Sequence, residues 1–160
     1  MWRRTLLLSL VSLLAVCVAG AADLATKKAL TLEVAKEIAA AAEAEARKNN
    51  WNVAITILDD GGHLLYFQKM DGVQIGSIEV SQRKAASTVN FKRATKVFSD
   101  GVKNRVQLVS LPGAFAFEGG LPITHDGEVI GGIGVSGVTA EQDGIIAKAG
   151  VDALPKILSR

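Results

Sequence analysis

The chain carries two histidines, His63 and His125, and each stands beside a tight turn. His63 follows Gly61-Gly62, where the glycines leave its imidazole uncrowded and able to ligate a metal or accept a proton. His125 precedes Asp126-Gly127 and reads as a solvated turn residue. Neither belongs to a His-x-x-x-His or paired-carboxylate spacing, so the residues do not make a zinc site. Arg83 and Lys84, with Lys92 and Arg93 one to two helical turns later, can meet an anionic group or form a solvated basic face. Tyr66, Phe91, Phe115 and Phe117 can wall a flat aromatic ligand, yet with only 5% aromatic residues the core needs most of them. Ser81 and Ser136 lack the Gly-x-Ser-x-Gly elbow of an activated nucleophile, and nothing supports nucleophilic catalysis.

Glycines dominate the stretch from Phe117 to Asp143. Glu118-Gly119-Gly120-Leu121-Pro122-Ile123 is followed by the Asp126-Gly127 turn and then by Gly131-Gly132-Ile133-Gly134-Val135-Ser136-Gly137. So much bare main chain can approach a flat ligand or a neighbouring helix closely. Gly132 to Gly137 fits the Gly-x-Gly-x-x-Gly fingerprint, but that motif needs a parallel strand-helix-strand unit. Asp126-Gly127 instead places this strand in an antiparallel hairpin, and too little chain follows for another parallel strand.

The elements that must hold these residues follow from hydrophobic period and turn chemistry. Thr31 caps a helix whose Leu32, Ala35, Ile38, Ala39, Ala42 and Ala46 recur at three- and four-residue spacing, and Asn49-Asn50 ends it. Val53, Ile55 and Ile57 have the period of a strand, Asp59-Asp60-Gly61-Gly62 turns it, and His63 to Met70 returns. A second helix is predicted from Ser77 to about Phe98, then a short one near Val102 to Leu108 and a short strand at 114–117. A hairpin follows at Ile123–His125 and Glu128–Val135, and Thr139 with Gln142 forms a capping box opening the last helix. This order predicts an α+β fold, an antiparallel sheet covered by helices.

Composition bounds the function. Arg3 and Arg4, an apolar run from Leu6 to Val18 and small residues at 19–22 have the order of an export signal, predicted to span residues 1–22 and be removed, leaving one domain over 23–160. The run is shorter than the roughly 20 apolar residues a membrane span needs. A periplasmic or extracellular protein is expected, without a stable membrane span after cleavage. Cleavage removes the single cysteine, Cys17, and with it disulfides and thiolate ligands. Without Arg3 and Arg4, 16 of the 18 basic residues remain against 16 acidic ones, so no net positive charge argues for nucleic acid.

The ordered set Ala29-Leu30-Thr31-Leu32, Asp59-Asp60-Gly61-Gly62-His63-Leu64, Met70-Asp71-Gly72, Gly119 to Ile123, Gly131 to Gly137, Glu141-Gln142-Asp143 and Ala149-Gly150 resembles the GlcG/HbpS haem-binding family. That family is related to the C-terminal module of PduO-type proteins. The resemblance covers essentially all of the chain beyond the signal. It implies a five-stranded antiparallel sheet with helices on both faces (α-β-α, profilin-like), a homo-oligomer, and binding of haem or another small planar ligand. His63 and the Gly119–Ile123 loop match the family pattern and receive its ligand roles, His63 as the iron ligand. Gly119, Gly120 and Pro122 thereby line the expected site, with Thr124 just after them; in the haem reading the neighbouring Phe117 and Glu118 join that lining and Arg83, from the basic helix face, neutralises propionates. The iron-handling Glu-x-x-Glu pair of some exported relatives is absent from the sequence, so iron storage does not transfer. Two other functions stay open. A small-carboxylate enzyme of organic-acid utilisation would use His63 with Asp59 or Asp60, or Glu118; a scaffold subunit would use the glycine strands only for packing.

Overall fold

The computed structural model describes residues 22–159. The expected export signal therefore lies outside the described residues, apart from Ala22. Chain order is α1 (Leu32–Lys48), β1 (Ala54–Asp59), β2 (Leu64–Lys69), α2 (Gly76–Phe91), α3 (Lys96–Gly101), a 3-10 turn (Val106–Ser110), β3 (Gly120–His125), β4 (Glu128–Ser136), α4 (Ala140–Asp152) and α5 (Leu154–Leu158). Thr31 Oγ1 accepts from Val34 N–H to start α1, and Thr139 with Gln142 closes the capping box of α4. All three strand pairings are antiparallel.

Among the described residues the sheet has four strands, in the order β2-β1-β4-β3, and not five. The segment 114–117 is not a strand. Leu111-Pro112-Gly113 turns it over α2, with Gly113 at φ +79°, and the Phe115 N–H donates to Ser87 Oγ at 3.0 Å. That donor is spent on a helix side chain, so it cannot enter a ladder. The second helix is also shorter than its period predicts: Lys92 adopts a left-handed conformation (φ +51°) and ends α2 before α3 begins.

Helices cover both faces. On one, α1 and α4 pack over Ile55, Ile57, Ile133 and Val135, and their own contact is thin because Gly150 faces Ile38 and Ala42. On the other, α2 lies on β4 at a separation that only glycine permits. A Cβ on Gly134 would stand 2.0 Å from the Ser81 carbonyl oxygen, and one on Gly132 would stand 2.3 Å from Thr88 Oγ1. The Gly-x-Gly repeat is the alternation of β4 itself, glycine toward α2 and Ile133 or Val135 toward the other core. The buried stripe of α2 is correspondingly small and hydroxylated: Thr56 and Ser81 pair at 2.8 Å, and Ser136 donates to Ser77 at 3.3 Å.

Gly134→Ala is expected to lower the unfolding free energy by about 3 kcal/mol, the upper range for overpacking a rigid contact. Gly62→Ala, at φ +82° in open space, is expected to cost only about 1 kcal/mol. Urea unfolding of the two variants checks the order.

Candidate functional site

Register places both hairpin turns at one end of the sheet, since Asp59 pairs with Gly131 and His125 with Glu128. In the first turn Asp59 Oδ1 accepts from Gly61 N–H (2.9 Å) and His63 N–H (2.8 Å), while Oδ2 lies 3.2 Å from His63 Nδ1. Partial burial pushes the Asp59 carboxyl up, but the N–H donors and the imidazole outweigh it and hold the group below its ordinary range. The His63 ring is 83% exposed. In the second turn Asp126 (φ +49°) and Gly127 (φ +80°) form the tight hairpin their types favour, and His125 Nε2 lies 3.4 Å from Asp126 Oδ2.

The segment before α1 clips these turns together. Lys27 pairs with Asp60 at 2.5 Å, Lys28 pairs with Asp126, and Leu30 is buried. Beside Lys27, an open cleft of about 550 Å³ is lined by Lys92, Thr124 and Glu128. The turn end thus gathers two imidazoles, the Thr124 hydroxyl and several cations.

Arg83, Phe117, Glu118, Gly119 and Gly120 stand at the opposite end, where Gly120 pairs with Gly134. Arg83 lies over the Phe115 ring at 4.9 Å, and Phe115 contacts Phe117 at 5.4 Å. Their cleft, about 210 Å³, has Lys84 and Asp143 in its lining. Glu118 accepts from Lys96 at 3.0 Å. Pro122 sits between the two ends, paired with Gly132 in the edge strand β3. The residues expected to line one site therefore fall into two groups, with His63 and Thr124 apart from the rest.

Lys84 leaves the basic face it seemed to share with Arg83. Its ammonium, 2% exposed, donates to Asp143 Oδ2 (2.7 Å) and Val135 O (2.9 Å), and Asp143 Oδ1 accepts from Val138 N–H. Burial pushes the lysine below and the carboxyl above its usual range, and each partner's charge opposes that shift. A Cβ at Gly119 (φ +118°) would come within 2.7 Å of Lys84 Nζ and of Asp143 Cβ, while one at Gly120 would meet Thr95 and Thr88. The room these glycines leave is taken by the protein's own buried pair and threonines. The pairing was legible in part: Ser77, Ser81, Lys84, Ala85 and Thr88 share one helical stripe, as do Asp143, Ile146, Ala147 and Gly150.

Four antiparallel strands between helices, with glycines seating one helix on the sheet and two imidazoles at the turns, define a small α+β domain. The chain belongs to the haem degrading protein HbpS-like family, which it matches over residues 30–152. It is 42% identical to Protein GlcG of Escherichia coli over 112 residues, 69% of this chain and 84% of that one. The structure is similar to Streptomyces reticuli HbpS in a double-mutant form (TM-score 0.76, 31% identity, covering 82% of this chain and 90% of that one). It is also similar to PduOC in a complex with haem (TM-score 0.71, 29% identity, covering 79% and 95%).

Removing one partner of a buried ion pair strands the other, so Lys84→Met and Asp143→Leu are each expected to cost about 3–5 kcal/mol, with the double variant recovering much of it. In Asp143→Asn the lysine loses its attraction and its folded pKa falls further. Where the folded lysine binds fewer protons than the unfolded one, stability rises with pH, so this variant should gain more than the native protein from about pH 7 to about pH 9. Denaturant unfolding at the two pH values reads both effects.

Proposed function

We propose that this protein is an exported, non-enzymatic haem-binding protein that works as a homo-oligomer and takes haem, or another planar tetrapyrrole, at the hairpin-turn end of its sheet. Family membership and the likeness to a PduOC complex with haem support the ligand. The observation that carries the reading is that each imidazole at this end has a carboxylate beside one ring nitrogen, Asp59 for His63 and Asp126 for His125. A carboxylate on one nitrogen fixes the tautomer and leaves the other nitrogen free to ligate, which is the usual support of a metal-bound histidine. Haem supplies an iron with open axial positions and a broad apolar face.

The residues at this end fit that group. His63 offers a solvent-facing ligand, Thr124 lines the adjoining cleft, and Lys27, Lys28 and Lys92 are cations within reach of acidic substituents. Arg83, Phe117, Glu118, Gly119, Gly120 and Pro122 stand away from this end in one chain. In our reading they reach the ring only where a second copy apposes its own surface, and this ties the site to the homo-oligomer. The family description also favours a second reading, haem degradation. Under that reading the bound ring would be opened by added dioxygen and an external electron donor, and the Soret band of the complex would decay only when both are supplied.

Haem titrated into the purified protein is expected to shift the Soret band to that of an imidazole-ligated complex and to co-elute through gel filtration. A His63→Ala, His125→Ala double variant is expected to lose that ligation. A spectrum indistinguishable from free haem, or a double variant with native binding, would overturn the reading.

A further inference from the structure

His125 is not the solvated turn residue that its sequence context describes. Its side chain is only 31% exposed, and it borders two troughs that meet at it. One, about 310 Å³, runs between the segment before α1 and β4; the other, about 420 Å³, runs along α5. Both are lined by His125 and Leu158, so the two troughs adjoin at the imidazole. Each falls within the size range of small-molecule sites. The walls are apolar: Leu30, Val34 and Ile130 on one side, Leu154, Pro155 and Leu158 on the other. By contrast, the cleft lined by Thr124, Lys27 and Lys92 is polar at its rim and offers only Val129 as an apolar wall.

A planar ring with an iron at its centre needs an apolar slot and a donor aimed at the middle of that slot. His63 has the donor without the slot, being 83% exposed on a turn. At His125 the two occur together. Beside the imidazole, Asp126 stands 3.4 Å from Nε2 and is itself paired with Lys28, which also edges the trough. The carboxylate beside Nε2 favours the proton on that nitrogen and leaves the lone pair of Nδ1 open to a metal.

Resting on the haem reading above, we propose that the seated ring lies in the trough between the segment before α1 and α5, with His125 as its iron ligand. Leu158, 46% exposed, forms the outer lip of this seat and Lys28 meets an acidic substituent at its edge.

Single variants of the full-length protein separate this from the broader reading. His125→Gly is expected to raise the haem dissociation constant at least about tenfold and to remove the spectrum of imidazole ligation, while Lys148→Ala, on the exposed face of α4, stays within about twofold. Free imidazole added to His125→Gly restores the ligated spectrum, which a merely structural role would not produce. Leu158→Asp, at a half-exposed lip outside the main core cluster, is expected to weaken binding at least about tenfold. Circular dichroism checks that each variant is folded. If His63→Ala loses the ligation and His125→Gly keeps it, the seat is wrong and the haem reading stands. If imidazole fails to rescue, or Leu158→Asp binds as the native protein does, the seat is likewise overturned. A native protein that never shifts the Soret band ends both.

Discussion

Helix α2 rests on strand β4 where the strand offers no side chain, at Gly132 and Gly134, and most of the structure follows from that contact. Gly132 and Gly134 bring the helix backbone to the sheet backbone, so the stripe facing the strand must be small. Its serines and threonines satisfy one another and nearby carbonyls across the interface. The same closeness lets Lys84 reach across β4 to Val135 O and to Asp143 on the far helix, and the bond would be cut by any side chain at Gly119. One lysine thereby ties α2, β4, α4 and the entry to β3. Paired and hydrogen-bonded as it is, the charge can be held in the interior; alone it could not be.

Locking one end of the sheet has a consequence for the other. Around Gly119 and Gly120 the backbone is fully engaged and the space beside it is filled. At the hairpin turns, by contrast, four strand ends, the segment before α1 and α5 converge without a helix lying across them. Functional groups gather where a rigid scaffold presents short loops, and here both imidazoles stand at the turn end with Lys27, Lys28 and Lys92 beside them. The antiparallel register achieves this with two short hairpins, because Asp59 and His125 fall at matching strand ends whatever lies between.

Periodicity and turn chemistry were enough to read α1, both hairpins, the capping box and the antiparallel sense of the glycine strand, because each depends on residues near in sequence. Three features were not legible for the same reason reversed. The segment 114–117 has strand-like residues but spends its Phe115 N–H on Ser87, a partner 28 residues away. Lys84 reads as one of several basic residues until its stripe is compared with that of Asp143, 59 positions on. His125 looks solvated beside Asp-Gly, and only the fold brings Leu30 and Leu158 to flank it. A glycine pattern states that something approaches closely; it does not state whether the neighbour is a ligand or the protein's own helix, and at Gly119, Gly132 and Gly134 the neighbour is the protein.

The charges at the turn end bear on what kind of ligand can be held there. Lys27 and Lys28 are each already paired with a hairpin carboxylate, in positions open to water. Exchanging such a partner for the acid group of a ligand replaces one exposed ion pair with another, and exposed pairs contribute little and are screened by salt. Net attraction cannot come from long-range steering either, since the chain without Arg3 and Arg4 has equal numbers of basic and acidic residues. At the proposed seat, affinity would therefore rest on apolar surface removed from water and on a bond to an imidazole, terms that favour a flat, largely hydrophobic metal complex over a small hydrophilic acid. In the proposed seat the cations would act on orientation, setting which edge of the ring faces the segment before α1.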